Sequence, residues 1–227
     1  MKWRSFDESA AVADGRPLRE QFAERELLIS KYVPAEVRAV QVRAIEEIAG
    51  KVKPLAIGSP CPQFQLKDQN AEAVSSAEIL TRGPLVICFF RGRWCPFCIG
   101  QLEAMNAILD RIKGSRASLV AISPQTVQQS FFMADQHKLQ FPLLSDAHNK
   151  VAWQFGLAYL VPEYQQSIYR RAFINLPFIN GDDSWELPIP ATYIVDRNGI
   201  IRYASANANY TERPEPTDIL DSIMKLA

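Results

Sequence analysis

The stretch that decides the fold is Leu85–Met105, LVICFFRGRWCPFCIGQLEAM. Its first six residues, Leu85 to Phe90, are a continuous apolar run, the pattern of a strand buried on both faces. From Ile99 onward the period changes. Ile99, Leu102, Met105, Ile108, Leu109 and Ile112 recur at helical spacing, and Gly114 stops the run. Between strand and helix lies Arg91-Gly92-Arg93-Trp94-Cys95-Pro96-Phe97-Cys98. Two cysteines three residues apart therefore fall at a strand-to-helix junction. Unpaired N–H groups and the macrodipole favour an anion at a helix start, and a thiolate is such an anion. Residues i and i+3 share a helix face, so Cys95 and Cys98 can close a disulfide with little backbone movement. Pro96 suits the first helical turn, where its missing N–H is no loss. Arg91 and Arg93 add positive charge beside the pair.

Other readings of the pair are weaker. Inert core cysteines are common, but an element junction beside two arginines is a poor place for them. A structural zinc site needs two further ligands, and Cys61, Cys88, His137 and His148 form no second pair at ligand spacing. No metal and no cofactor are called for. A redox-active CxxC is the reading that uses every feature.

Outward from this stretch, the chain supplies the remaining pieces of an α/β domain. Towards the C-terminus, Ala117 to Ile122 reads as a second buried strand, Thr126 to Lys138 as a helix, and His148 to Phe155 as a helix ended by Gly156. Pro190 to Arg202 contains two apolar strands around Asn198-Gly199, a strong hairpin cue. Pro216 to Leu226 is a last helix. Towards the N-terminus, Ser75-Ser76 caps a short helix through Leu80. Leu18, Phe22 and Ile29 mark a helix broken at Tyr32-Val33-Pro34, and Val37, Val40, Ala44, Ile45 and Ile48 mark another ending at Gly50. Met1 to Gly15 reads as a loose lead-in. The order predicts a mixed central sheet with helices on both faces, a thioredoxin-like fold, preceded by an N-terminal helical extension. The expected division is 1–54 for the extension and 55–227 for the domain. The extension's apolar stripe either packs on the domain, the preferred reading, or makes a homodimer contact.

The whole chain has 227 residues, 48% of them hydrophobic, with 25 Lys+Arg balanced by 25 Asp+Glu. That suits one domain with decoration. The neutral balance argues against nucleic acid or an anionic membrane as partner. No run reaches transmembrane length and the N-terminal residues carry no secretory pattern, so the cytoplasm is the expected location. There a CxxC is more often catalytic than structural.

Trp94-Cys95-Pro96-Phe97-Cys98 resembles the thioredoxin and glutaredoxin active-site signature. The surrounding chain, roughly Leu55 to Lys225, resembles the alkyl hydroperoxide reductase/thiol-specific antioxidant (AhpC/TSA) family, the peroxiredoxins, in a branch where a CxxC replaces a lone peroxidatic cysteine. Gly58 to Leu66 is similar to the family's Gly-x-x-x-Pro-x-Phe-x-Leu opening, and Phe141-Pro142-Leu143-Leu144-Ser145-Asp146 to its FPLLSD segment. Against this pattern, Leu160 to Pro188 is an insertion. Its first half, Pro162 to Phe173, is expected to be helical and its second half irregular. Such a long connection is usually functional, and it is expected beside the active-site turn. Trp185, Tyr164 and Phe178 either cover the site or fill a satellite core. Cys61 is read as a bystander, and His137 and His148 as surface residues.

The resemblance breaks at the site itself. With Cys98 placed on the peroxidatic cysteine, the family's proline falls on Arg91, its threonine on Cys95 and its arginine on Pro190. What replaces them looks like thioredoxin: Trp94 before the first cysteine, and Pro190 in Ile189-Pro190-Ala191-Thr192, expected to be cis and to pack near Cys95. The implied activity is a Cys95/Cys98 dithiol–disulfide cycle, with reduction of hydroperoxides preferred and protein disulfide exchange as the alternative. A thioredoxin- or glutaredoxin-type protein, or a small thiol, would return the electrons. From position alone Cys95 should be the more exposed thiol and the one with the lower pKa, whereas the alignment names Cys98 as the attacker.

Overall fold

The computed structural model describes residues 16–226. The lead-in expected over 1–15 lies outside them. A seven-stranded sheet has the order β2-β1-β5-β4-β3-β8-β9. Its strands are β1 (Gln65–Lys67), β2 (Ala73–Ser75), β3 (Leu85–Phe89), β4 (Ser118–Ser123), β5 (Leu143–Ser145), β8 (Ala191–Val195) and β9 (Ile201–Ala206). β3, β4 and β5 are parallel, and β8 runs antiparallel to β3, with Phe89 opposite Ala191. The Asn198-Gly199 turn joins β8 to β9, with Gly199 at φ 77°, a conformation glycine adopts without steric cost. This is the thioredoxin-like arrangement expected from the sequence.

The apolar run of β3 is central because both its faces are covered. Val86, Cys88 and Phe90 enter one core layer, with Leu102, Met105, Ile112 and Ile219. Leu85, Ile87 and Phe89 enter the other, with Val120, Ile122, Phe155 and Tyr193. Alternation along one strand thus feeds two layers, which is the period-two rule of a pleated strand.

α1 (Leu18–Tyr32) and α2 (Ala35–Ala49) divide between the layers. Leu18 and Phe22 of α1 join the first, Ala44 and Ile48 of α2 the second. Both stripes pack on the domain, as the preferred reading had it. α3 (Ser76–Arg82) is capped by Ser75, whose hydroxyl accepts from the Glu78 N–H at 3.4 Å. The helix after the cysteines is two helices, α4 (Pro96–Ala107) and α5 (Leu109–Gly114), divided at Ile108. There φ is −103° and ψ 7°, and the Ile108 N–H bonds the Met105 carbonyl, one residue short of α-helical pairing. α6 (Val127–His137) and α7 (Lys150–Gln154) follow at the expected places, and α10 (Pro216–Met224) closes the chain.

The insertion is more ordered than its composition implied. β6 (Ala158–Leu160) and β7 (Glu186–Pro188) pair antiparallel and frame α8 (Glu163–Arg171) and α9 (Leu176–Asn180). α9 starts because the Asn175 side chain accepts from the Phe178 N–H, and it stops at Gly181, φ 72°. His137 is not a surface residue. Its side chain is 7% exposed and its Nδ1 lies 2.9 Å from Glu103 Oε1. His148 is exposed, and neither histidine approaches the cysteines.

Candidate active site

Cys95 is the N-cap of α4 and Pro96 its first residue. The turn before it is held from outside. The Arg93 N–H donates to Gln125 Oε1 at 2.9 Å, and the Cys95 N–H closes back on the Gly92 carbonyl at 3.1 Å. Gly92 has φ 142°, and a side chain there would run into the Trp94 indole at 2.7 Å. From α1, Arg25 donates to the Pro96 carbonyl, and Phe22 packs edge-on against Phe97 at 5.1 Å between centroids. The N-terminal helix thus buttresses the start of the CxxC helix.

Both thiols are buried, Cys95 at 1% exposure and Cys98 at 0%, and both are free. The expected exposure of Cys95 is therefore absent, and the two thiols do not differ meaningfully in it. The strand-to-helix turn does put it at the helix entrance, but aromatic and arginine side chains close over that entrance. Arg91, only 3% exposed, brings Nη1 to 3.8 Å from Cys95 Sγ and donates Nη2 to Tyr169 Oη at 2.5 Å. Its guanidinium lies 4.6 Å from the Trp94 ring centroid and 4.3 Å from that of Tyr210. Cys98 Sγ accepts from the Arg91 N–H at 3.4 Å and from Arg213 Nη2 at 3.8 Å.

This environment separates the two thiols. Burial alone pushes the Cys95 thiol up. A hydrogen bond from Cys98 and the charges of Arg91 and Arg213 outweigh it and hold Cys95 at about 5. Burial and the neighbouring Cys95 thiolate both drive Cys98 well above the usual thiol range, so Cys98 is the proton-bearing partner. Burial also pushes Cys61 and Cys88 up to about 12, which leaves them inert near neutral pH. Burial disfavours the Arg91 charge, but the Tyr169 hydroxyl and the Cys95 thiolate hold that group protonated.

Several residues singled out in the sequence occupy other roles here. Arg93 points away from the thiols and donates to Gln129 Oε1 at 3.1 Å. Pro190 is buried but trans, since there is no cis peptide bond among the described residues. It stands directly before β8, where a missing N–H costs no ladder bond, and its carbonyl accepts from the Asn207 N–H at 3.2 Å. The β3–β8 register places it just beyond the Phe89–Ala191 pair, at the end of the sheet where the active-site turn begins. The insertion does lie on that turn, through Tyr169. This residue bonds Arg91 and packs on Trp94 at 5.2 Å. The three aromatics put forward for covering the site serve elsewhere. Tyr164 bonds Glu47, Trp185 lies under Arg170, and Phe178 is 69% exposed.

The AhpC/TSA family model matches residues 57–204. The chain belongs to the AhpC/TSA family. Rice (Oryza sativa subsp. japonica) chloroplastic peroxiredoxin Q is 29% identical over 178 residues, covering 78% of this chain and 70% of the relative. Chloroplastic peroxiredoxin Q of Sedum lineare is 28% identical over 169 residues, covering 74% and 76%. Among solved structures, peroxidoxin BcpB of Mycobacterium tuberculosis superposes with a TM-score of 0.60 at 20% identity, over 76% of this chain and 99% of that one. Xylella fastidiosa PrxQ also gives 0.60, at 14% identity, over 76% and 98%.

Within an AhpC/TSA protein, the site carries two features that motif reading did not find. Arg213 comes from the loop between β9 and α10 and is brought to Cys98 only by tertiary folding. Tyr169 and Tyr210 come from the insertion and from that same loop. None of the three stands in a recognisable motif. The one available signal was that two arginines sit beside a CxxC with no acidic residue nearby in sequence.

Proposed function

We propose that this AhpC/TSA protein reduces hydroperoxides with Cys95 as the attacking thiolate and Cys98 as the resolving thiol. The carrying observation is the geometry of the pair: Cys95 caps the helix with Arg91 Nη1 at 3.8 Å, and a hydrogen bond from Cys98, with the charges of Arg91 and Arg213, lowers its pKa while Cys98 keeps its proton. The Cys95 thiolate attacks one oxygen of ROOH, the O–O bond breaks, and the leaving alkoxide takes a proton to give ROH. Cys95 is left as the sulfenic acid. The Cys98 sulfur displaces hydroxide from it, its proton completes a water molecule, and the Cys95–Cys98 disulfide forms. Two electrons from a thiol reductant, either a thioredoxin- or glutaredoxin-type protein or a small thiol, restore the pair. Closure of Tyr169, Trp94 and Tyr210 over the thiols keeps the thiolate desolvated, and the insertion must open for turnover.

Residues 1–54 form an N-terminal extension to a catalytic domain of 55–227, and its described part, from residue 16 on, buttresses that domain. A homodimer would form on surfaces away from Leu18, Phe22, Ala44 and Ile48, which are already buried in the domain core. A free, redox-active pair suits a reducing compartment such as the cytoplasm.

Single-cysteine variants test this assignment. Cys98→Ser should react once with hydrogen peroxide and carry a sulfenic acid on Cys95, seen by mass spectrometry. Cys95→Ser should be unreactive. A sulfenic acid on Cys98 in Cys95→Ser would reverse the roles. Mixed disulfides trapped by Cys98→Ser, with no peroxide reaction, would replace peroxide reduction by disulfide exchange.

A further inference from the structure

The active site carries more buried positive charge than buried negative charge. Arg91 is almost wholly enclosed, and Arg213 is half-buried with its Nε shut off from solvent. Among the described residues neither guanidinium has a carboxylate within ion-pair distance. Their hydrogen-bonding side-chain partners are the two sulfurs and the Tyr169 hydroxyl, Arg91 also lies over the Trp94 and Tyr210 rings, and Arg213 Nη1 donates to the Glu212 carbonyl. Three buried donors, Arg91 Nε, Arg213 Nε and Trp94 Nε1, have no acceptor among the described residues. Among the described residues the Cys95 thiolate is therefore the one anion facing these two cations.

Oxidation removes it. The balanced change is Cys95–S⁻ + Cys98–SH + ROOH + H⁺ → Cys95–S–S–Cys98 + ROH + H₂O. The site moves from one excess positive charge to two, and a neutral disulfide faces both guanidiniums. A buried charge without a partner is costly, whereas a charge-assisted bond to an anion satisfies it. Resting on the dithiol cycle proposed above, we infer that oxidation of the Cys95–Cys98 pair creates a binding site for one small monovalent anion between Arg91 and Arg213. In the reduced protein the thiolate holds that place. The anion binds one redox state and not the other, so by mass action it pulls the pair towards disulfide and makes it harder to reduce. The site discriminates by charge and size. A compact halide or short carboxylate reaches donors that a bulky polyhydroxy acid cannot.

The test is a redox titration of the full chain against a dithiol/disulfide buffer. Sodium chloride replaces sodium gluconate at constant ionic strength, and disulfide is counted by thiol labelling. Above the dissociation constant, each tenfold rise in chloride should shift the equilibrium up to tenfold towards disulfide, about 30 mV more negative. Arg213→Gln removes one cation and should abolish the chloride dependence. Arg213→Lys and the exposed control Arg197→Gln should retain it. A midpoint independent of chloride in the wild type overturns the inference, because Arg213 then relieves the charge by leaving the site. Equal chloride dependence in Arg213→Gln also overturns it. Failure of Cys95 and Cys98 to form a disulfide at all would sink the dithiol cycle instead, an outcome the labelling reads separately.

Discussion

Replacing Arg91 by Met should raise the Cys95 pKa, and the structure gives the scale. Arg91 Nη1 lies 3.8 Å from the sulfur, enclosed by Trp94, Tyr169 and Tyr210. At that distance and an effective dielectric constant of ~20, one unit charge acts on another with about 4 kcal/mol. One pKa unit is about 1.36 kcal/mol, so the ceiling is roughly three units. Arg213, the helix start and the Cys98 hydrogen bond all remain, and the delocalised guanidinium charge sits farther away than Nη1. A rise of about one to two units is therefore expected in Arg91→Met. The assay is the ultraviolet absorbance of the thiolate followed against pH. It needs no reagent to enter a closed site. Cys61 and Cys88, pushed up to about 12, stay silent through the range in which Cys95 titrates from about 5. At a pH between the two inflections, single-turnover peroxide reaction should slow severalfold. Arg91→Lys keeps the charge but loses the planar stacking between Trp94 and Tyr210, and should retain most of the depression. If Arg91→Met titrates within half a unit of wild type, Arg91 is not what holds the thiolate, and the mechanism above loses its electrostatic basis.

Three other outcomes follow from the same contacts. The reduced protein should gain stability over Cys95→Ser as pH rises from about 5 towards the unfolded thiol value near 9, because a depressed acidic group stabilises above its unfolded pKa and loses that contribution as pH falls through the folded one; denaturant midpoints of the two proteins against pH read this, and a flat difference refutes it. Tyr169→Phe leaves a buried guanidinium N–H unpaired, which should cost about 1–3 kcal/mol in chemical denaturation and make 160–188 easier to cleave in limited proteolysis; an unchanged cleavage pattern would show that the insertion is held otherwise. Gly156 has φ 69°, and a Cβ there would meet the Lys53 carbonyl oxygen at 1.9 Å, so Gly156→Ala should destabilise by at least about 1–3 kcal/mol, measured by thermal unfolding; a neutral result would mean that the 53–55 segment yields freely.

The sequence alone determined the frame of this protein because its signals are local. The apolar run of β3, the change to helical period after Cys98 and the Asn198-Gly199 turn each depend on neighbours in the chain, and together they leave few arrangements besides a thioredoxin-like sheet. The CxxC at the junction was likewise legible as a candidate redox pair, and its place at the helix start points the same way as the lowered Cys95 and raised Cys98 pKa. Local signals ran out where partners come from far along the chain. Arg213 meets Cys98 across 115 positions, and Tyr169 meets Arg91 across 78. No periodicity encodes such pairings, so the closure over Cys95 and the surplus of buried positive charge belong to the tertiary structure. The Ile189–Pro190 bond failed for a related reason. A proline before a buried strand satisfies either isomer locally, and the bond at the start of β8 is trans. The insertion misled through composition, since its Pro, Gly and Asp residues cap α9 and shape its turns, and the pairing of β6 with β7 orders what lies between. Chemistry at this site is thus written in two places: the identity of the thiols in a few adjacent residues, and their charge state in side chains that only the fold assembles.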